Sequence, residues 1–472
     1  MPQLDQYPLL VGLVYVFNLI VGTGALTLPA AFAGAGWLFS SILLILLACV
    51  SFITATFVIE SVASANATIQ WKRIQSHKID ESEVPIDSSS DQENSTEETA
   101  ILGGRRQRFF HLNTNVELGE IASLYLNKFG HLLFFLSLCI YLYGDLAIYA
   151  AASGKTIVNL SCKSNDTEDY SIKCWDEYNI TRMDMYRIFV GLFTIIIGPF
   201  TYFNVQKTKY LQIFTISIRW CAFIIMVTLA IVRLIKYGPQ GHPKLINLSE
   251  VPALAGSSVY SFMCHHSLPG LIAPISNKAN LTRKIGYDFI IICLFYLLLS
   301  ITGAFAFETV DDLYSLNFIQ SGDSNFLMKI IGFFLVAFPL FPMSTSFPII
   351  AITLQSNLKN LVLRRNGHEE HNIFVKRIIF PTLAVVPPVI VALCTHNLKR
   401  LVEITGTYAG VIVQYVIPAA LVFYARRQCY RDFGYSNHKY ASPFRNSFWF
   451  IFIICWAVVC IIFVSVDIFF KE

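Results

Sequence analysis

Charged side chains are scarce in this sequence, and that scarcity decides its class. Asp, Glu, Lys and Arg together make up 14% of the 472 residues, whereas hydrophobic residues make up 55%. Soluble domains carry roughly 25% charged residues, so the composition excludes an ordinary soluble protein. In place of charge there are about eleven apolar runs, each long enough to cross a bilayer. They cover about residues 9–33, 37–64, 131–153, 187–205, 210–235, 251–275, 287–307, 326–355, 379–395, 404–425 and 447–468.

The sequence also lacks the signals of several other classes. Met1–Gln6 has no basic residue and the apolar run after it is too long for a signal core, so we expect no cleaved signal peptide. The cysteines do not have the spacing of a metal site, and no carboxylate or nucleophile pattern accompanies His265–His266. We therefore expect no enzyme activity, no metal or organic cofactor, and no nucleic-acid partner. The expected partners are the lipid bilayer and a small molecule.

Basic residues concentrate in alternate loops between the predicted spans. Cytosolic loops carry the excess of Lys and Arg, so this set is predicted to be cytosolic. The opposite set is poorer, and its loop at 308–325 has no basic residue. With an odd number of spans, the N-terminus is then cytosolic and the C-terminus extracellular or lumenal. The basic set holds Lys207, Lys209, Lys278, Arg283, Lys284, Lys359, Arg364, Arg365, Lys376, Arg377, Arg426, Arg427, Arg431, Lys439 and Arg445.

The loop predicted for residues 154–186 has the features of an outer, glycosylated segment. Cys162 and Cys174 are the only cysteines that fall in an outer loop, so we expect them to form a disulfide. N-glycosylation requires the Asn-x-Ser/Thr pattern on the outer side. The sequons predicted to lie there are Asn159, Asn165, Asn179 and Asn247.

Residues 65–115 have a different composition from the rest of the chain. Ile79–Thr99 is rich in Asp, Glu and Ser and poor in apolar residues, which predicts a disordered cytosolic loop with undefined protein partners. Within it, Glu97–Leu102 resembles an acidic dileucine sorting signal, although such hexamers also arise by chance. The hexamer tilts the predicted location from the plasma membrane toward the endolysosomal membrane.

The first span contains a break. Gly22 and Gly24 let the backbone unwind, and Pro29 cannot donate a backbone hydrogen bond. Unwound backbone at mid-membrane depth is tolerated only where it lines a cavity or is buried in protein. The sequence alone leaves two interpretations, a binding site or a kink at a close helix contact.

The sixth span repeats this peculiarity. It reads Val259–Gly270, with two adjacent imidazoles, hydroxyl groups and a Pro-Gly pair in mid-run. Interrupted segments at corresponding positions indicate an inverted-repeat transporter. We therefore predict an all-α multi-pass membrane protein with about 11 transmembrane helices and broken helices 1 and 6. The first repeat covers 1–235, the second covers 251–425, and 447–468 forms a peripheral eleventh helix.

Charged and hydroxyl side chains inside spans mark further candidate sites. Asp145 in span 3 and Arg219 in span 5 are expensive to bury in lipid, so each is a functional candidate, or the two form a structural ion pair. Span 8 carries Ser344, Thr345 and Ser346 between prolines. Their oxygens suit a cation such as Na⁺, although such hydroxyls also bond to their own helix.

The chain resembles the amino acid/auxin permease family of the amino acid–polyamine–organocation superfamily. The resemblance is carried by Val16–Pro29 in span 1 and Phe262–Pro269 in span 6, the latter similar to the Cys-His-x-x-Leu-Pro element of sodium-coupled neutral amino acid transporters. More closely, residues 141–150, Gln206–Gln212 and Ser442–Arg445 resemble the transmembrane protein 104 family. His266-Ser267 replaces the Pro-Glu of the sodium-coupled relatives, so their substrate preference does not transfer.

This resemblance implies that the substrate lies between unwound spans 1 and 6. The backbone of Gly22, Thr23 and Gly24 would receive a carboxylate, which suits a helix N-terminus. The opposite wall would contain Phe262, Cys264 and His265.

The expected function is secondary active transport of amino acids by alternating access. Coupling to Na⁺ would use the span-1 break with Ser344 and Thr345. Coupling to H⁺ would use Asp145 or His265, with Arg219 as a fixed charge in place of the ion. The alternative is a membrane amino acid sensor or trafficking scaffold that binds without transporting.

Overall fold

Helices make up most of the chain that the structure describes. The computed structural model describes residues 6–82, 109–114, 116–162, 170–175, 179–202, 209–319, 326–363 and 375–471. Its α-helices are α1 (Leu9–Ile20), α2 (Gly24–Ala35), α3 (Trp37–Ser82), α4 (Leu118–Tyr125), α5 (Lys128–Ser161), α6 (Arg182–Ile197), α7 (Lys209–Tyr237), α8 (Val251–Ser261), α9 (Leu268–Ile272), α10 (Leu281–Ala306), α11 (Phe326–Ala337), α12 (Leu340–Leu363), α13 (Phe380–Cys394), α14 (Leu398–Ile404), α15 (Ile417–Phe433) and α16 (Ser447–Lys471). Between α14 and α15 lie two π-helical stretches, Thr405–Gly410 and Ile412–Val416.

The described residues contain nine helical segments that are long and apolar enough to cross a membrane. Two interrupted segments join them: α1 and α2, which meet at a 53° bend, and α8 with α9. The prediction of an all-α multi-pass membrane protein with breaks in spans 1 and 6 is confirmed. The two breaks bring polar backbone into the interior, and the functional site must be sought there.

The helices reach farther than the apolar runs from which they were predicted. α3 continues to Ser82, so the start of the segment predicted as a loop from residue 65 is helical. α5 continues to Ser161, which shortens the predicted outer loop of 154–186. The 34 residues of α5 span roughly 51 Å at 1.5 Å per residue, more than the hydrocarbon core of about 30 Å. The hydrophobic pattern ends at the bilayer, whereas the helix does not.

The acidic part of the predicted cytosolic loop, including Glu97–Leu102, lies outside the described residues. The segment just after it packs against the end of α15 and the loop that follows α15. Phe110 is buried and its ring lies 5.3 Å from that of Phe433 and 4.4 Å from that of His438. Residues 109–114 are therefore part of the folded body.

A disulfide joins Cys162, just beyond α5, to Cys174. Of the four predicted glycosylation sites, Asn179 is exposed and Asn165 lies outside the described residues. The amide groups of Asn159 and Asn247 are engaged, because they donate to the carbonyl oxygens of Lys155 and Gly34 at 2.8 and 2.9 Å. Asn179 is consequently the most accessible of the three predicted outer sequons that the structure describes.

Candidate functional site

A cavity of about 210 Å³ lies between the two breaks. Its walls come from the α1–α2 break, the middle of α5, α7, the α8–α9 break and α12. Such positions at the junction of helices are common for small-molecule sites. The polar groups of this cavity come from five separate parts of the chain, and the sequence does not show which of them face one another.

The α1–α2 break presents free backbone donors to the cavity. α1 ends at Ile20, and α2 begins at Gly24. Within the described part of the chain, the N–H groups of Thr23 and Gly24 have no protein acceptor. These N–H groups lie at the N-terminus of α2, which is the positive end of the helix dipole and stabilises an anion.

The two glycines of this break serve different purposes. A Cβ atom added at Gly22 would meet only the Leu19 carbonyl oxygen, at 3.8 Å, so this position borders open space. A Cβ atom at Gly24 would lie 2.6 Å from the Cα of Ser261 on α8. Gly24 therefore permits the close approach of the two broken spans, while Gly22 leaves room in the cavity.

The ends of the two broken spans share one hydroxyl group. The Tyr296 hydroxyl on α10 lies 2.9 Å from the carbonyl oxygens of both Ile20 and Ser261. These are the last residues of α1 and α8, where helical carbonyl groups lose their intrahelical partners. The single hydrogen of Tyr296 is shared between these two carbonyl oxygens, so this residue links both breaks from behind the cavity.

Arg219 also caps the end of α1. Its Nη1 donates to the carbonyl oxygens of Asn18 at 2.6 Å and Val21 at 3.0 Å. A cation is stabilised at the C-terminus of a helix, where the carbonyl dipoles point. The guanidinium group therefore holds a fixed positive charge against the unwound backbone, at the cavity wall.

Asp145 faces the cavity from the other side, and its partner is a tyrosine. The Tyr260 hydroxyl donates to Asp145 Oδ1 at 2.5 Å, and it lies 2.9 Å from the Thr23 hydroxyl. Because Tyr260 gives its one hydrogen to Asp145, Thr23 must donate to Tyr260. The chain Thr23–Tyr260–Asp145 connects the first break, α8 and α5.

Asp145 and Arg219 are not paired with each other in the described structure. The structural ion pair considered for them is therefore not what the fold contains. Instead the cavity has a basic end, formed by Arg219 and the α2 N-terminus, and an acidic end at Asp145. This arrangement suits a ligand that carries both charges.

Three residues predicted for the opposite wall lie behind it. Phe262 packs against Phe289 and Tyr296, with ring centroids 6.5 and 5.2 Å apart, and Cys264 is fully buried. His265 Nε2 contacts the Thr54 hydroxyl at 2.8 Å and the Ser51 carbonyl oxygen at 3.2 Å. The cavity is lined instead by their neighbours Tyr260, Met263, His266 and Ser267. The unwound turn rotates the residues after it relative to α8, and the sequence pattern does not show by how much.

The predicted ion ligands of span 8 also differ from the residue of this motif that lines the cavity. Ser346, not Ser344 or Thr345, lines the cavity from α12. The Thr345 hydroxyl bonds to its own helix, at 3.2 Å from the Phe341 carbonyl oxygen and 3.0 Å from that of Pro342. Of the two alternatives given for this motif, Thr345 therefore shows the second, a hydroxyl group that bonds to its own helix.

Several lining residues were missed by the sequence analysis. Tyr141 and Tyr149 lie four residues to either side of Asp145, so all three share one face of α5. That spacing was a usable signal. Asn18 gave no comparable signal, and the sequence marked His266 only as one of two adjacent imidazoles. Each has a buried side-chain atom without a protein partner among the described residues, Oδ1 and Nδ1 respectively.

Comparisons with known proteins agree with this architecture. The family described as "Transmembrane amino acid transporter protein" matches residues 9–75 and 110–466. Mouse transmembrane protein 104 is 46% identical over 99% of this chain and 98% of its own length. The Drosophila melanogaster homolog of transmembrane protein 104 is 42% identical over 98% of this chain and 97% of its own length.

The chain belongs to the transmembrane amino acid transporter family, in its transmembrane protein 104 branch. The resemblance inferred from the motifs of spans 1 and 6 is thereby confirmed. Among solved structures, this transporter-family chain is similar to the crystal structure of MhsT in complex with L-phenylalanine, with a TM-score of 0.55 and 12% identity. The similarity covers 98% of this chain and 99% of that one. At this identity it shows the shared fold, the broken-helix inverted repeat.

Proposed function

We propose that this protein is a secondary active amino acid transporter that works by alternating access and performs no covalent chemistry. One observation carries the proposal: the cavity between the breaks offers a basic end and an acidic end to the same small ligand. Family membership and the fold support the same class of function. MhsT, which shares the fold, was crystallised with L-phenylalanine.

The spacing of the two ends favours an α-amino acid. The donors at Thr23 and Gly24 would receive the carboxylate, and Asp145 would receive the ammonium group. A single hydroxyl, that of Tyr260, spans the distance from Thr23 to Asp145 through contacts of 2.9 and 2.5 Å. Groups so close together match charges carried on one carbon better than charges at the two ends of a long molecule.

Asp145 is needed because other acceptors are engaged. The carbonyl oxygens of Asn18 and Val21 bind Arg219, and that of Ile20 accepts from both Gly22 N–H and Tyr296. An ammonium group in a water-poor site requires a compensating acceptor. The carboxylate of Asp145 supplies charge as well as hydrogen bonds.

The position of Arg219 favours proton coupling over sodium coupling. A bound Na⁺ would need the carbonyl oxygens at the end of α1, which Arg219 already occupies with a permanent charge. The coupling proton would bind Asp145 when the site is empty and leave it when the ammonium group binds, because one carboxylate cannot hold both. Among the described residues, the environment of this carboxylate contains a tyrosine donor and no paired cation. Sodium coupling is the competing hypothesis. One of its predicted ligands, the Thr345 hydroxyl, bonds to its own helix instead.

We also propose that the N-terminus is cytosolic and that the C-terminus faces the outside or an endolysosomal lumen. The distribution of basic loops supports this orientation. Cysteine labelling from one side of intact vesicles, at residue 179 and at residue 439, tests it. Labelling of both positions from the same side contradicts it.

The decisive experiment is uptake of mixed radiolabelled amino acids into proteoliposomes that contain the purified chain, with Na⁺ and pH gradients imposed separately. Flux driven by the pH gradient and unaffected by choline replacement supports the proposal in full. Flux that requires Na⁺ overturns the proton assignment. Thermal-shift binding of an amino acid without flux under either gradient indicates the sensor instead.

A further inference from the structure

A second and larger cavity lies far from the two breaks. Its volume is about 520 Å³, compared with about 210 Å³ for the central cavity. The last turns of α7 form one wall, α11 forms another, and Phe307 with Asn317–Ile319 closes the end. The central cavity shares none of these residues, so the two cavities are separate.

Two basic residues of α7 line this cavity, Arg233 and Lys236. Neither is paired with a carboxylate in the parts of the chain that the structure describes. Arg233 lies 4.8 Å from the ring centroid of Phe307, and Lys236 lies 5.0 Å from that of Tyr237. An aromatic ring face does not accept these hydrogen bonds as a carboxylate would, so the N–H donors of Arg233 and Lys236 can still bind an anion. The distribution of basic loops predicts that this end of α7 is the outer one. Loops on the outer side carry fewer Lys and Arg residues, so the position of Arg233 and Lys236 is not explained by membrane orientation.

Apart from Asn317 and Tyr237, the remaining lining residues of this cavity are apolar. Leu229, Val232, Phe318, Ile319 and Met328 line it. Around it the exposed side chains are large and hydrophobic, including Ile235 and Phe326, each 80% exposed. In a membrane protein such exposed surface contacts lipid chains. The cavity is therefore continuous with a lipid-facing surface, and its charged corner lies at the end of the span.

We propose that this cavity binds one anionic phospholipid. The headgroup phosphate lies between Arg233 and Lys236, and one acyl chain follows the apolar wall beside α11. A phosphate accepts several charge-assisted hydrogen bonds, which Arg supplies in a fork and Lys as a point charge. Snorkelling alone would carry both side chains to the interface, but it does not explain a cavity of this size beneath them.

Binding here would act on α7 as a whole. Arg219, which caps α1, lies on the same helix 14 residues before Arg233, or roughly 21 Å along its axis. The lipid would hold one end of α7 against α11, while Arg219 holds the middle against the α1–α2 break. This inference does not depend on the nature of the transported substrate.

The test is lipid retention measured by native mass spectrometry on the delipidated full chain, offered phosphatidylglycerol or phosphatidylcholine. We expect at least five-fold more retained phosphatidylglycerol, in a ratio of one per chain. Arg233→Gln with Lys236→Gln should abolish the preference. Gly332→Leu, which fills the apolar wall of the cavity, should lower retention of phosphatidylglycerol while leaving both charges in place.

Lys329→Gln is the matched control. Lys329 is an exposed residue of α11 that does not line the cavity, so its loss should leave retention as in the unaltered chain. Equal loss in this variant means that charge near the membrane, and not the cavity, attracts the lipid, which overturns the proposal. Equal retention of the two lipids also overturns it. So does a thermal shift with inorganic phosphate as large as that with phosphatidylglycerol, because the ligand is then a soluble anion.

Folding is monitored independently by size-exclusion chromatography and thermal midpoint. If the double variant aggregates, the single change Arg233→Gln and Gly332→Leu give the same decision. Normal phosphatidylglycerol retention in both of these folded variants rejects the site.

Discussion

The hydroxyl of Tyr260 lies 2.5 Å from Asp145 Oδ1 and donates a hydrogen bond to it. The two residues belong to different predicted repeats, Tyr260 to the second through α8 and Asp145 to the first through α5. Through Thr23 the same hydroxyl also reaches the α1–α2 break. A change in the charge or occupancy of Asp145 would therefore be felt at both broken spans, which is what coupling between ion and substrate requires.

Asp145→Asn should reduce amino acid uptake by roughly ten-fold or more, because the amide keeps the shape but cannot balance a buried ammonium group. Tyr260→Phe removes the hydrogen bond to Asp145 and the one from Thr23, each worth about 0.5–1.5 kcal/mol, and should lower uptake by roughly ten-fold while leaving the Asp145 charge in place. Initial uptake rates in proteoliposomes and thermal-shift binding measure both effects. A normal uptake rate in Asp145→Asn would remove this residue from the proposed mechanism.

Gly22→Val and Gly24→Val should both abolish transport but for different reasons. The Gly22 position faces open space, so its variant should fold normally and fail to bind substrate. The Gly24 position abuts Ser261, so its variant should also have a lower thermal midpoint. Both remain apolar and should insert into the membrane. Equal thermal midpoints for the two variants would contradict the assigned roles, and normal flux in either would reject the α1–α2 site.

Arg219→Ala leaves the carbonyl oxygens of Asn18 and Val21 without their cation. We expect uptake in choline medium to fall by roughly ten-fold or more, since unpaired polar groups in the interior are costly. Addition of Na⁺ should restore part of it, because the freed oxygens form a cation site. Arg219→Lys is the control, which keeps the charge and should retain more activity in choline. Unchanged choline uptake in Arg219→Ala would show that the fixed charge is dispensable.

The adjacent imidazoles should separate in their effects. His266 lines the cavity, so His266→Ala should alter apparent substrate affinity with little change in thermal midpoint. His265 bonds to α3, so His265→Ala should destabilise the protein by about 1–3 kcal/mol through unsatisfied buried groups. Substrate titrations and thermal unfolding of both variants decide the matter. The reverse pattern would place His265 in the site, as the sequence motif implied.

We expect the packing around His438, on the predicted cytosolic face, to depend on pH. Burial, assisted by the charges of Arg445 and Arg426, lowers its pKa to about 4. An unfolded histidine has a pKa of about 6.5, so the unfolded segment binds more protons below that value. The stability contributed by the neutral imidazole is therefore complete above pH about 6.5 and is lost as the pH falls toward 4.

Hydrogen exchange of residues 434–446 should thus accelerate between pH 7.5 and 5.0, after correction for intrinsic exchange. His438→Leu removes the titration, and its protection should not change over this interval. Acceleration of the same size in His438→Leu would assign the pH dependence to another group.

The sequence by itself determined the spans and their interruptions. Apolar run lengths are fixed by bilayer thickness, and Gly22, Gly24 and the Pro-Gly pair at 269–270 act on their own local backbone. Asp145 and Arg219 could likewise be singled out, since a charge within an apolar run is conspicuous without knowledge of its neighbours. These signals are local, so no three-dimensional information was needed to find them.

The tertiary structure alone decided which groups meet. A helix turns by about 100° per residue, so a change of phase at an unwound break exchanges His265 for His266 and Phe262 for Met263 at the cavity wall. The partner of Asp145 is Tyr260, 115 positions away, and Arg219 binds backbone carbonyl oxygens, which every residue possesses. Contacts of this kind depend on how helices rotate and pack against one another, and no periodicity within a single segment encodes that rotation.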